Sequence, residues 1–286
     1  MDEIINTLAN HAVTATYNDL PSNVIHEMKR TLLDSVGCAF GGHSTERGRI
    51  AVELAKEIGG ASESSILGTD ARVARTNAAL ANGELINALD FDVISHIVVH
   101  DAPVIIPALL ALAEYTEASG KDLLLAMALG FDISGRLKLA IQPASPVTDT
   151  PEGERTQWPW VLGYALTTLA AAAGSGRVLK LDKERMAYSM GIAGYICPPN
   201  VFRKWTVTVP GQMTKYGVCG WGAQGSVTAA LLAEKGYTGD TDLFNSDFGF
   251  WRYTGLEKIY DANALIDLGS KWYNYEMTYK QYPCGG

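Results

Sequence analysis

Between Val161 and Leu179 the chain carries no charge before Arg177, and much of it is alanine and glycine (LTTLAAAAGSG). A segment like this has no polar face to turn toward water. Its small side chains let neighbouring backbones come close, so it reads as a helix buried on all sides. The run from Val161 to Gly174 is too short and too rich in Ala and Thr to span a bilayer, which takes about 20 apolar residues. A central helix of this kind obliges other helices to pack around it.

Helical spacing recurs along most of the chain. Residues 1–17 place Ile4, Ile5, Leu8 and Val13 on one side. After the break at Leu20-Pro21, Ser22 is the expected N-cap of a helix carrying Val24, Ile25, Met28, Leu32, Val36 and Ala39. Thr45–Ile58 and Ala74–Leu89 read as further helices. So does Pro107–Ser119, with proline in its first turn and Gly120 at its end. Lys121–Ala140 follows, and Arg136 near its end suits pairing with the helix C-terminus. Asp182 is the expected cap of LDKERMAYSMGIAGY, which Cys197-Pro198-Pro199 ends. Gly225–Glu234 is the last clear helix; the glycines before it, Gly217, Gly220 and Gly222, permit close approach of a backbone or a ligand. Ser64–Gly68 is a short extended piece, and Ile141–Gly153, with three prolines, is a loop. Parallel βαβ alternation is absent. The expected fold is all-α, with helices packed around apolar central helices.

A net charge of −8 and a pI near 5.2 argue against nucleic acid as partner, since phosphates call for basic surface. Local cations can still make a pocket for a small anion. The four cysteines, Cys38, Cys197, Cys219 and Cys284, show no zinc-type spacing. The first ten residues lack the order of a signal peptide. A reducing, cytoplasmic-type compartment is expected, with no membrane partner.

The chemistry concentrates between Asn82 and Glu114. Asp90, Asp92, His96, His100 and Asp101 fall on the linker between two expected helices, where reactive groups are commonly displayed. Three readings stay open. In the first, His100 passes protons, an imidazole's ordinary pKa being about 6.5, while Asp90 or Asp92 orients it or acts as a second base. In the second, His96 and His100 join the aspartates around a metal, giving a hydrolase; the β-branched Ile97, Val98 and Val99 give no support to the helical geometry that pairing needs. In the third, the aspartates are caps and the histidines are bystanders.

Lys215 stands in a glycine-rich run that lacks the order of a phosphate loop. It can hold a substrate carboxylate, or it is an exposed lysine beside a loop. Trp158-Pro159-Trp160 and Phe248–Tyr253 read as core or interface aromatics. Lys280 and Tyr282 cannot be placed from spacing alone.

Taken together, several stretches resemble the MmgE/PrpD family. They are YNDLPSNVIHEMKRTLLDSVGCAFGG, NGELINALDFD with the later histidine and Ile106-Pro107, ALGFDISGRL, LDKERMAYSMGIAG, MTKYGVCGWGAQGSVTAALLAEKGYTG, FGFWRY and the Lys280–Cys284 segment. The resemblance implies a large helical domain over residues 1–270, with 271–286 as the start of a smaller α+β lid domain. It implies a homodimer and a cofactor-free, metal-free site for small di- or tricarboxylates. Asp90, His100 and Lys215 fall on the family's catalytic positions. Asp92, His96, Lys280 and Tyr282 are expected to bind substrate.

The chain departs from the family pattern at Val93-Ile94-Ser95, at Asp101-Ala102 after His100, and at Gln157-Trp158, where a second histidine is common. Dehydration, decarboxylation and epimerisation therefore stay open. Family members are longer, so a truncated product, a separate lid-domain chain or a non-catalytic helical scaffold that oligomerises are the alternatives.

Overall fold

The computed structural model describes residues 4–95, 97, 100–141, 164–197, 208–245, 247–254, 261–265 and 267–284. Ten α-helices are present among them: α1 Ile4–Thr14, α2 Ser22–Gly42, α3 Glu46–Ile58, α4 Arg75–Asn87, α5 Ala102–Tyr115, α6 Gly120–Ile141, α7 Ala165–Val178, α8 Lys183–Ile196, α9 Cys219–Glu234 and the single turn α10 Phe250–Tyr253. Four two-residue strands form two antiparallel pairs. Strand β1 (Ser64–Ser65) pairs with β2 (Arg72–Val73), and β3 (Ile94–Ser95) pairs with β4 (Met277–Thr278). The all-α expectation holds. The extended piece expected at Ser64–Gly68 narrows to β1, and the proline-rich segment after Ile141 lies outside the described residues.

Three helices form the interior. In α7 every residue but Arg177 is buried, and the helix packs against α5, α6, α8 and α9. Helix α5 is buried except for Leu110, Glu114 and Tyr115 and packs against α4, α6, α7 and α9. Helix α4 is buried from Asn77 to Asn87, polar side chains included. Asn82 stays satisfied there by accepting from the Leu67 amide at 2.9 Å and donating to the Ser65 carbonyl at 3.0 Å, as a buried amide must.

The sequence misplaces several boundaries. Helix α5 begins five residues before Pro107, with a proline in its first turn that is Pro103 rather than Pro107. Pro107 lies inside the helix and cannot donate to the Pro103 carbonyl. That carbonyl faces α4 instead: a Cβ built on Gly83 would sit 2.7 Å from it. Helix α9 starts at Cys219, so Gly220 and Gly222 are helical. Packing outweighs their low helix propensity, because α9 crosses α4 in near backbone contact. A Cβ at Gly220 would lie 2.1 Å from the Leu80 carbonyl oxygen. Gly220→Ala is therefore expected to cost about 3 kcal/mol by overpacking, read as a lowered urea midpoint. Pro21, not Ser22, is the residue that precedes α2, and no side chain caps that helix. Asp182 does cap α8, accepting from the Arg185 amide at 2.9 Å.

Arg136 is not a helix-end cation, since α6 continues to Ile141. It is fully buried. It donates from Nε to Asp132 at 2.8 Å, from Nη1 to Asp267 at 2.8 Å and from Nη2 to the Lys271 carbonyl at 2.6 Å. These bonds, with the Tyr273 amide donating to Asp132 at 2.7 Å, hold the segment after residue 261 against α6. From there it runs to β4 and back toward the α4–α5 linker. Phe250 and Trp251 are core residues, while Phe248 and Tyr253 are exposed. Trp158 and Trp160 lie outside the described residues.

Candidate active site

The α4–α5 linker leaves α4 after Asn87 and re-enters helix at Ala102. Among its described residues two take left-handed backbone: Asp90 at φ 52° and His100 at φ 65°. Non-glycine residues seldom adopt this region, and it persists only where the surroundings enforce it, often at functional sites. Here the surroundings are a dense polar lattice.

His100 is fully buried, as is Asp92. His100 Nδ1 donates to Asp92 Oδ2 at 2.7 Å, and Asn87, at the end of α4, donates to Asp92 Oδ1 at 3.0 Å. A carboxylate on Nδ1 fixes the tautomer and leaves Nε2 as the basic nitrogen. Among the described residues Nε2 has no hydrogen-bond partner, and it lies 3.4 Å from Asp90 Oδ1. The imidazole rests on the Tyr216 ring with centroids 4.3 Å apart.

Asp90 gathers cations from two distant parts of the chain. Lys215 Nζ donates to its Oδ2 at 2.7 Å, and Tyr216 donates to the same oxygen at 3.0 Å. Lys280 Nζ donates to Oδ1, to the Asp90 carbonyl and to the Cys284 carbonyl, each at 2.9 Å. The Cys284 amide donates to the Asp90 carbonyl at 3.2 Å. Burial pushes the Asp90 carboxyl up, but the hydrogen bonds from Lys215 and Lys280 and the nearby His100 outweigh it and hold the group below its ordinary value. For Lys215, burial works against the charge, while the bonds to Asp90 and Tyr216 prevail and raise it. Burial pushes the Tyr216 phenol up. The result is an ionised carboxylate between two ammonium groups, beside a His–Asp pair with a bare ring nitrogen.

The structure thus brings Asp90, Asp92, His100, Lys215 and Lys280 together. Tyr282 is two-thirds exposed on the terminal segment and makes no hydrogen bond to these groups among the described residues. His96 lies outside the described residues. Two members escaped the sequence reading. Tyr216 carried one signal, its place beside Lys215; Asn87 looked like an ordinary helix residue. Asp101, which the sequence reading placed in the cluster, is buried, and burial pushes its carboxyl up to about 6 against hydrogen bonds from Thr167, Ser134 and Asn274 that lower it.

Among the described residues, Asp90, Asp92 and His100 have ligand-type atoms within 4.8 Å of one another, the core of the metal reading. The chemistry of the donor set speaks against that reading. Both Asp90 oxygens already face ammonium groups, and a divalent cation there would meet two like charges within a few ångströms. Cys38, Cys197 and Cys219 are buried free thiols, and burial pushes each of them up, away from the reactive thiolate. No helix among the described residues is long and apolar enough to cross a membrane.

Comparison with known proteins finds relatives along most of the chain. A family model described as the MmgE/PrpD N-terminal domain matches residues 6–261. The chain is 32% identical over 275 residues to a cis-aconitate decarboxylase of Homo sapiens, covering 92% of this chain and 53% of that protein. It is 30% identical over 277 residues to a cis-aconitate decarboxylase of Mus musculus, covering 93% and 52%. With a cis-aconitate decarboxylase of Aspergillus terreus the identity is 25% over 281 residues, covering 94% and 54%. The chain spans about half the length of the curated relatives it matches.

Proposed function

The chain belongs to the MmgE/PrpD family, and from that premise we propose that its site is the acid–base half of a lyase acting on a small polycarboxylate. Decarboxylation of an unsaturated tricarboxylate of the cis-aconitate kind is the first candidate. The observation that carries the reading is the convergence of Lys215 and Lys280 on Asp90, beside a His100 whose Nδ1 is committed to Asp92 and whose Nε2 is bare.

In this reading the two ammonium groups are the carboxylate-binding pair. A substrate carboxylate competes with Asp90 for them, and they lower the energy of charge that builds up on the substrate skeleton. The bond to the departing carboxylate breaks, CO2 leaves, and its electron pair spreads toward a neighbouring carboxylate held by the lysines. Protonated His100 Nε2 then delivers a proton to carbon, so a trianion and one proton become CO2 and a dicarboxylate. Asp92 keeps the imidazole oriented and stabilises its charged form. Loss of water or return of a proton to the other face would draw on the same groups, which is why the relatives' names, and not the geometry alone, favour decarboxylation.

The test is incubation of the full chain with cis-aconitate and a panel of other di- and tricarboxylates, with products followed by NMR, in the presence and absence of a strong chelator. Product formed equally with chelator is expected. Activity lost on chelation and restored by a divalent cation would replace this reading with the metal-dependent one built on Asp90, Asp92 and His100.

A further inference from the structure

Among the described residues Asp101 makes no hydrogen bond to His100 Nε2 or to the ammonium groups, yet its carboxylate sits where α6, α7 and the terminal segment that carries Lys280 meet. Its Oδ1 accepts from Thr167 of α7 at 2.7 Å and from Ser134 of α6 at 3.1 Å. Its Oδ2 accepts from Asn274 Nδ2 at 2.7 Å. Asn274 in turn accepts from Ser95 of β3, whose strand pairs with β4. The backbone carbonyl of Asp101 accepts the Val104 and Ile105 amides that open α5. Asn274 itself takes left-handed backbone at φ 52° and is buried. Its Cβ packs so closely on α6 that a Cβ at Gly135 would lie 2.5 Å from it.

We propose that Asp101 is a positioning residue for the site: through Asn274 it locks the terminal segment to the α6–α7 core and so sets where Lys280 stands relative to His100. The sequence places Asp101 one residue after His100, and Asn274 six residues before Lys280. One side chain therefore fixes both sides of the reaction centre. The bridge spans 173 residues of chain and adds to the Arg136 and Asp132 bonds that hold the same segment against α6. A carboxylate suits the junction because it accepts on both oxygens. Burying it without donors would be costly, and three donors meet it. The inference deepens the proposed lyase reading and rests on it for the word reaction; the geometric claim about Lys280 stands by itself.

The experiment measures acylation of lysines by an amine-reactive ester on the folded full chain, quantified residue by residue by mass spectrometry. Lys280 is only 3% exposed and Lys215 35%, so in the unsubstituted protein Lys280 is expected to react far more slowly. Asn274→Gly removes the bridging amide while tolerating the positive φ, and Asp101→Ala removes the whole junction. Each is expected to speed Lys280 labelling at least about tenfold by local opening, with Lys180 as an unchanged reference. Asp101→Asn is expected to keep protection, since its amide oxygen can accept from Asn274 while its NH2 donates to the Thr167 and Ser134 hydroxyls. In parallel, kcat on cis-aconitate is expected to fall in the first two variants and return in the third.

Unchanged Lys280 labelling in a folded Asn274→Gly overturns the proposal. That variant decides the matter even if Asp101→Ala does not fold. Absence of turnover in the unsubstituted chain would count against the lyase reading alone, because the labelling result does not depend on activity.

Discussion

His100→Asn is expected to lower kcat on cis-aconitate by about 10²–10⁴-fold, the usual worth of a positioned general acid or base. Asparagine is the informative replacement. Its NH2 occupies the place of Nδ1 and can still donate to Asp92, now 2.7 Å from the ring. It also tolerates the left-handed backbone that His100 adopts at φ 65°. What it lacks is the second ring nitrogen, the one that faces Asp90 at 3.4 Å. KM is expected to change little, since in this account the lysines and not the histidine hold the substrate carboxylate. Far-UV circular dichroism of the variant should match the parent, because the interior helices α4, α5 and α7 do not rest on Nε2. A variant retaining parental kcat would remove His100 from the chemistry.

The second large effect is expected from Lys280→Met, set against Lys215→Met. Lys280 is 3% exposed and donates three hydrogen bonds, two to Asp90 and one to Cys284. Methionine fills similar volume but strands those acceptors, and the expected cost is about 3 kcal/mol, with Asp90 partly relieved by solvent. Lys215 is 35% exposed, and losing its ion pair is expected to cost at most about 1 kcal/mol, the range of partly solvated pairs. Turnover is nonetheless expected to fall by at least about 10²-fold in both, because each removes a charge that stabilises the developing anion. The urea midpoint then separates the two lysines while kcat does not. Equal stability losses would contradict the burial difference, and intact turnover in either would contradict its role.

How far the sequence disclosed this can be traced residue by residue. Helix α7 was legible because a segment with no charge before Arg177 has nowhere to go but the interior. Helix α4 was legible as a helix but not as a buried one, since Asn77, Asn82, Glu84 and Asn87 look like a solvated face. They are buried because each finds a specific tertiary partner. Glu84, for example, accepts from Arg47 at 2.7 Å and from the Gly220 amide at 2.8 Å. The start of α9 was hidden by glycines whose purpose, contact with α4, is invisible until α4 is placed. Pro107 read as a helix start because its missing amide is tolerable there, and the chain instead points the freed Pro103 carbonyl at Gly83.

For the site, the density of Asp and His between residues 90 and 101 signalled chemistry, and the family resemblance singled out Asp90, His100 and Lys215. The lysine partners lie 125 and 190 residues from Asp90, and no spacing rule reaches that far. Lys280 therefore had no bottom-up reading. Asp101 was visible as part of the cluster, but its role depends on Asn274, Thr167 and Ser134, three residues of ordinary type in three unrelated stretches. The left-handed backbone at Asp90, His100 and Asn274 is likewise enforced by these long-range bonds and has no glycine to announce it.

The account turns on one transfer, a proton carried between His100 and substrate carbon. The direct measurement is ¹H NMR of cis-aconitate incubated with the full chain in D2O, beside the same sample of His100→Asn. The account predicts CO2 and a dicarboxylate formed one for one, with a single deuteron placed on carbon by the parent protein and almost no product from the variant. Product appearing at the parental rate with His100→Asn, or no product and no carbon-bound deuterium from folded parent protein, would contradict it.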